Sequence, residues 1–347
     1  MKKERTTLQD IADKVGVTKM TVSRYLNNPS NVAPQTRQKI ASVIEELGFI
    51  PNRAPAILSK ASSKAIGLLI PSFSNIVFAD IIQGVQQTAQ SAGYNVLIMH
   101  MGYQTKSEEE QVAALLSYQV EAIILTENVH SDITIKRLKL ANIPVVEIMG
   151  FPDKPINMAV GVDTLNIAYA ITKGLIAAGR KKIAYFGVRL DHRTLLRQHG
   201  YEKAMSEAGL KSYSLDVQDR SNFTLGSSLM LQTLEKEPDL ETVFCTNDDV
   251  AVGALFACLK LELSVPNDIS ILGYNGLNIG DATVPKLCSI KTPRFEMGAL
   301  AMRMIIEKLT AKFTGSQRIK LPVTLTDGDS LTAIEKQCIK DHITKVI

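Results

Sequence analysis

Apolar residues near the start of the chain recur with helical spacing: Leu8, Ile11, Ala12 and Val15 fall at i, i+3, i+4 and i+7 and share one face. Thr7, with Asp10 three residues on, predicts a capped start, and Gly16 interrupts the run. A second short helix is predicted from Thr18, whose hydroxyl suits the backbone N–H of Thr21, with Val22 and Leu26 turned inward. A third runs from Pro34 to Leu47. Its apolar stripe is Ile40, Val43, Ile44 and Leu47, and Gly48 is its stop. Two short helices joined through a glycine turn describe a helix-turn-helix, and the third completes a small all-α module over residues 1–50.

The pattern changes after residue 64. Apolar strand-like runs at 65–70, 95–100, 122–126, 144–148, 182–187, 242–246 and 269–274 alternate with helix-length stretches at 76–92, 107–119, 167–178, 200–208 and 248–261. That alternation predicts an α/β domain with parallel sheets over 65–330, with strands enough for two sheets. Residues 51–64 read as a linker, ending in the polar stretch Ser59 to Lys64. A C-terminal tail, 331–347, carries Ile334, Ile339 and Ile343. It predicts a short helix without the sustained heptads of a tetramer-forming coiled coil.

Composition adds one asymmetry. Of 347 residues, 45% are hydrophobic and 21% charged, enough for ordinary cores in two or three domains. Residues 1–60 hold ten Lys/Arg against five Asp/Glu, a net +5, which leaves about −1 for the rest of a chain whose total is +4. The basic surplus lies at the front, where it favours a polyanion. Cysteines 245, 258, 288 and 338 are far apart and make no Cys-x-x-Cys pair. They suggest neither zinc nor a disulfide framework, and a reducing cytoplasm suits them. No run reaches the roughly eighteen apolar residues of a membrane span, and no apolar segment backs the charged N-terminus as in a secretion signal.

In a helix-turn-helix the second helix enters the DNA major groove, so donors and methyl groups are expected on its outward face. Lys19, Thr21, Ser23, Arg24 and Asn27 fit phosphates or base edges, Met20 fits a thymine methyl, and Thr7 is counted with them at the start of the first helix. A solvated helix face explains any one of these residues. The glycine turn, the acid-free second helix and the local basic charge together favour DNA.

The runs Leu8-Gln9-Asp10-Ile11-Ala12, Gly16-Val17-Thr18, Thr21-Val22-Ser23-Arg24 and Gly48-Phe49-Ile50-Pro51-Asn52 resemble the headpiece of the LacI family of bacterial repressors. The resemblance implies that Lys19 and Met20 choose the operator half-site while Thr18, Thr21, Ser23 and Arg24 dock the helix. It also implies that the segment after Pro51-Asn52 becomes a hinge helix on operator DNA, with Leu58 wedged into the minor groove. With Asn52 as N-cap, Pro55 falls in the first turn, where its missing N–H is tolerated. Ala33 departs from the serine or threonine that usually caps the third helix.

Over the large domain the resemblance continues and implies two doubly wound lobes, like those of periplasmic sugar-binding proteins, with one ligand between them beyond the carboxyl ends of the strands. Asn75, Phe78, Arg193, Arg197, Asn247, Asp248 and Asn275 fall at or just beyond predicted strand ends. Matched to the family, Arg197 takes the position of its ligand-anchoring arginine and Asn247 that of its strand-end asparagine. Asn275 stands where an aspartate often contacts sugar, and losing that charge favours an anionic ligand. Arg193, one turn before Arg197, is expected to help grip a carboxylate. Asn247 and Asp248 serve equally well as helix caps, and Phe78 and Phe223 as core residues. Residues 16–24, 51–55 and 124–127 are most similar to the family's regulators of gluconate use, which makes a sugar acid such as gluconate the expected effector.

No glycine-rich nucleotide fingerprint, P-loop or His-Glu-x-x-His occurs. His192 and His199, seven apart, have no third ligand nearby, so neither metal nor cofactor is expected. The reading is a cytoplasmic, non-enzymatic repressor that binds double-stranded operator DNA as a homodimer and is released by its effector. The alternatives are a transport system's sugar-binding protein, a regulator answering a neutral sugar, and a Rossmann-type enzyme on sugar acids. The basic front segment weighs against the first.

Overall fold

The computed structural model describes residues 6–51 and 62–346, in two compact units that divide between Ser63 and Lys64. In the first, helices α1 (Leu8–Val15), α2 (Lys19–Asn27) and α3 (Pro34–Leu47) enclose a core of Ile11, Ala12, Val22, Val32, Ile40 and Phe49. Thr7 and Asp10 form the expected capping box: the Asp10 N–H donates to Thr7 Oγ1 at 3.3 Å and the Thr7 N–H to Asp10 Oδ2 at 2.7 Å. Gly16 and Gly48 end α1 and α3 with φ of 78° and 58°, a left-handed conformation that only glycine adopts without strain. Ala33 supplies no side-chain cap to α3, whose first residue, Pro34, has no N–H to satisfy.

The second unit holds two six-stranded sheets. The first has the order β11-β5-β4-β3-β1-β2, built from β1 (Ala65–Ile70), β2 (Asn95–His100), β3 (Ala122–Leu125), β4 (Val145–Met149), β5 (Met158–Gly161) and β11 (Arg318–Lys320), all parallel. The second has the order β12-β10-β9-β8-β6-β7, from β6 (Ile183–Val188), β7 (Tyr213–Val217), β8 (Thr242–Cys245), β9 (Ser270–Asn275), β10 (Cys288–Lys291) and β12 (Thr324–Leu325), with only β12 antiparallel. Helices cover both faces, which is why strands such as Ala65–Ile70 read as continuous apolar runs.

The chain passes between lobes three times. Helix α7 (Thr164–Ala177) follows β5 of the first sheet, yet it packs on α8 (His192–Glu207) and α12 (Ala333–Ile343) of the second lobe. Helix α11 (Arg294–Leu309) follows β10 of the second sheet, yet it packs on α4 (Val77–Ser91) and β4 of the first lobe. The third passage joins β11 to β12. Glycines seat the exchanged α11 closely: a Cβ at Gly84 of α4 would lie 2.2 Å from the Phe295 carbonyl oxygen, and one at Gly298 of α11 would lie 2.3 Å from that of Ile81. In the second lobe, Gly226 of α9 (Phe223–Lys236) and Gly253 of α10 (Asp248–Lys260) do the same for each other's helices.

All seven expected strands are present, and five short ones join them. β11 and β12, of three and two residues, are too brief to carry a periodic signal. The helix expected at 200–208 begins eight residues earlier at His192, where its inward side includes Arg193 and Arg197 and so breaks the apolar periodicity. The short helix expected in the 331–347 tail is present as α12, packed into the large unit. Ile339 and Ile343 are buried in the core, Thr332 and Glu335 form a capping box, and Glu335 Oε1 accepts a hydrogen bond from Arg180 Nε at 2.8 Å. The segment therefore belongs to the second lobe.

A buried charge cluster ties α5 (Thr105–Ser117) to β4 and to the loop before α6 (Asp132–Ala141). His130 Nδ1 lies 2.9 Å from Glu108 Oε1 and its Nε2 lies 3.4 Å from Glu147 Oε1, with all three side chains at most 3% exposed. Burial pulls the imidazole pKa down, but hydrogen bonds to Glu108 and Glu147 and their charges carry it to about 9. The stabilisation this group adds is complete below its unfolded value near 6.5 and is lost as pH rises through about 9. His130→Gln should therefore cost about 3–5 kcal/mol near neutral pH, because it leaves two buried carboxylates without a cation. Urea unfolding across that pH window checks both points: the wild type should lose stability toward the alkaline end more steeply than the variant, and equal slopes would assign the dependence elsewhere.

Candidate functional site

Helix α2 presents a surface with no acid. Thr18 caps it, its Oγ1 accepting from the Thr21 N–H at 3.3 Å, and Val22 is buried beneath. Lys19, Arg24 and Asn27 are exposed, Met20 is 72% exposed, and Thr21 and Ser23 are half-buried. Thr7 is exposed, but its hydroxyl is spent on Asp10 Oδ2 at 2.8 Å. Asn52 and Leu58, expected at the hinge, lie outside the described residues.

In the large unit a narrow cleft lies between the lobes at the carboxyl ends of the strands. Asn75, Phe78, Arg193, Arg197, Asn247 and Asn275 line it as expected, together with Met149, Val162, Thr164, Arg189, Asp191, Tyr274, Thr292 and Met297. An outer mouth shares Asn75, Arg189 and Asn247 with it and adds Arg220 and the half-exposed Phe223. Three lining residues, Met149, Arg189 and Asn275, have φ of 76°, 71° and 107°, a strained backbone state that recurs at ligand sites.

Arg197 is 6% exposed and has only neutral partners. Its Nη2 and Nε donate to Thr246 Oγ1 at 2.9 and 3.2 Å, Nη2 also reaches Thr194 Oγ1 at 3.3 Å, and the guanidinium lies 4.6 Å over the Tyr274 ring. Among the described residues it enters no direct ion pair, and the ionised Asp191 acts on it through its field rather than by contact, so a buried positive charge faces the cleft. Arg193 corrects the expected paired grip: its Nη1 donates to the Thr126 carbonyl at 2.7 Å and its Nη2 to Glu127 Oε1 at 2.8 Å. Asp191 Oδ1 caps α8 through the Thr194 N–H at 2.9 Å. Burial pushes its carboxyl pKa up, but Arg193 and Arg197 outweigh this and hold it below the usual value, so it remains an ionised acceptor.

Asn247 occupies the N-cap of α10 without capping it. Its Nδ2 donates to Ser221 Oγ at 3.1 Å and its Oδ1 accepts from Asn275 Nδ2 at 2.9 Å, a pair of amides at the cleft wall. Asp248 departs from expectation and does not line the cleft. Fully buried, it accepts the Leu277 N–H at 2.6 Å and the Ser289 hydroxyl at 2.5 Å, and burial raises its pKa to about 7. It fastens the loop that follows Asn275. Asp191 precedes a helix whose start the apolar periodicity did not reveal, so its capping role was not legible. Val162, Thr164, Thr292 and Met297 carried no signal, because they reach the cleft only through the lobe crossovers.

Residues 63–328 match the family model described as periplasmic binding proteins and sugar binding domain of LacI family, and residues 7–52 match that of bacterial regulatory proteins, lacI family. The chain is 44% identical to the HTH-type transcriptional regulator GntR of Escherichia coli (strain K12) over 331 residues, covering 95% of this chain and 100% of that one. It is 42% identical to the regulator IdnR of the same organism over 332 residues, with the same coverage. Among solved structures, a LacI-family transcriptional regulator from Silicibacter pomeroyi superposes with a TM-score of 0.89 at 27% identity, over 94% of this chain and 99% of that one. The Lac repressor dimer bound to operator and the anti-inducer ONPF shares the fold, with a TM-score of 0.82 at 23% identity over 95% of this chain and 100% of that one. On its headpiece, its two-lobed domain and these relatives, the chain belongs to the LacI family of bacterial regulatory proteins.

Proposed function

We propose that this regulator represses transcription by binding a near-palindromic operator as a homodimer, and that a sugar acid such as gluconate, held between the lobes, releases it. The observation that carries the effector class is Arg197, a buried cation in the cleft whose contacts are two threonine hydroxyls and an aromatic face. A carboxylate there would gain charge-assisted hydrogen bonds from a group that has given up water without an ionic partner. The Asn247–Asn275 amides offer acceptors and donors for the hydroxyls of the same ligand.

Release follows from differential binding. A ligand touching both lobes favours one lobe arrangement, and the chain that leads from one unit into the other is the covalent route by which that arrangement reaches the headpiece. The cleft is read as a binding site rather than a catalytic one, since Arg193 and Asp191 are spent on internal partners. Cytoplasmic action on double-stranded DNA is part of the same reading, without a cofactor.

Exchanging Lys19 and Met20 should change base preference within the half-site by about 1–3 kcal/mol per altered contact, as read in a binding selection. An unchanged preference would remove them from base reading. Arg197→Ala should leave operator affinity intact and weaken gluconate binding about 10- to 100-fold, the scale of hydrogen bonds to a charged group. Calorimetry with gluconate and operator anisotropy on the same variant check this, and a retained response would take Arg197 out of the effector site.

A further inference from the structure

Arg193 stands on α8 of the second lobe, whereas Thr126 and Glu127 follow β3 at the carboxyl edge of the first sheet. The guanidinium therefore spans the cleft, with its Thr126 bond at 2.7 Å and its Glu127 bond at 2.8 Å, and the paired side chains are only 8% and 15% exposed. A second bridge runs beside it. Arg189, just past β6, donates to the Tyr103 hydroxyl in the loop after β2 and lies 4.8 Å over that ring. Both arginines leave one junction of the second lobe, where Arg189 and Leu190 adopt φ of 71° and 45°. Backbone held in that region needs contacts that offset its strain, and the side-chain contacts leading out of this junction go to the opposite lobe.

We propose that the Arg193–Glu127 pair, backed by Arg189 on Tyr103, is an interlobe latch that holds the cleft closed before a ligand arrives and thereby sets ligand affinity. Arg193 is then a positioning residue, and the ligand's acid group is left to Arg197. A planar guanidinium satisfied at two nitrogens by fixed oxygens of the other lobe is a stiff connection, and removing one member of a buried pair leaves the other uncompensated. Loosening the latch lowers the fraction of chains in the closed, binding-competent arrangement, and apparent affinity falls by that same fraction. The effect does not depend on the ligand's charge.

The test uses the full chain as wild type, Glu127→Gln and Arg193→Lys. Hydrogen exchange without ligand should be faster over residues 126–130 and 189–194 in both variants, and gluconate binding should weaken about fivefold or more. Unchanged ligand-free exchange in Glu127→Gln overturns the latch whatever the affinities do. Faster exchange with unaltered gluconate affinity overturns its control of binding. Weaker binding in Arg193→Lys with unaltered exchange returns Arg193 to the ligand. The affinity arm rests on the sugar-acid reading and the exchange arm does not, so a wild type that ignores gluconate defeats that reading while exchange still decides the latch.

Discussion

Arg197 is a permanent cation at 6% exposure, surrounded by hydroxyls and a tyrosine ring. A charge removed from water at that depth is costly unless something compensates it. The neighbouring acid, Asp191, lowers the cost through its field while its carboxylate caps α8 and lies 3.6 Å from Arg193. In the proposed switch this arrangement leaves the guanidinium to the carboxylate of the ligand. Much of the second lobe serves to hold it there: Thr194 follows the Asp191 cap, Thr246 follows β8, and Tyr274 is buried in the shared core.

The three crossovers turn that local site into a property of the whole domain. Because α11 follows the second sheet and packs on the first, while α7 does the reverse, each lobe includes chain that has just left the other. Arg294 at the start of α11 shows the consequence: its Nη2 pairs with Asp80 of the first lobe at 2.7 Å while its Nη1 donates to the carbonyl of Asn275 at the cleft wall. A ligand that shifts Asn275 is thus coupled through one guanidinium to α4. The core runs without a break from Ile66 and Ile148 to Phe244 and Leu272, so the lobes are packed against one another rather than loosely tethered.

Local chemistry made the headpiece fully legible in the sequence. Thr7 with Asp10, Thr18 with Thr21, and Gly16 and Gly48 each dictate a conformation within a few residues, and each is found as expected. In the large domain the long buried strands and the strand-end polar residues were equally readable. Asp248 and Arg193 were not, because their partners lie 29 and 66 residues away, at Leu277 and Glu127. Position beyond a strand end brought both near the cleft. Whether a side chain faces a ligand or a distant piece of its own chain depends on tertiary pairing that no local pattern encodes.

In the proposed switch, one ligand in the cleft and one duplex on α2 compete through the energy of a single chain. Linkage requires that gluconate weaken operator binding by the same factor as operator weakens gluconate binding. Gluconate titrated by calorimetry into the free regulator and into its operator complex measures that factor directly. Binding to the complex is expected to be distinctly weaker, matched by the loss of operator affinity at saturating gluconate. Equal gluconate affinity for the free and operator-bound regulator would contradict the switch.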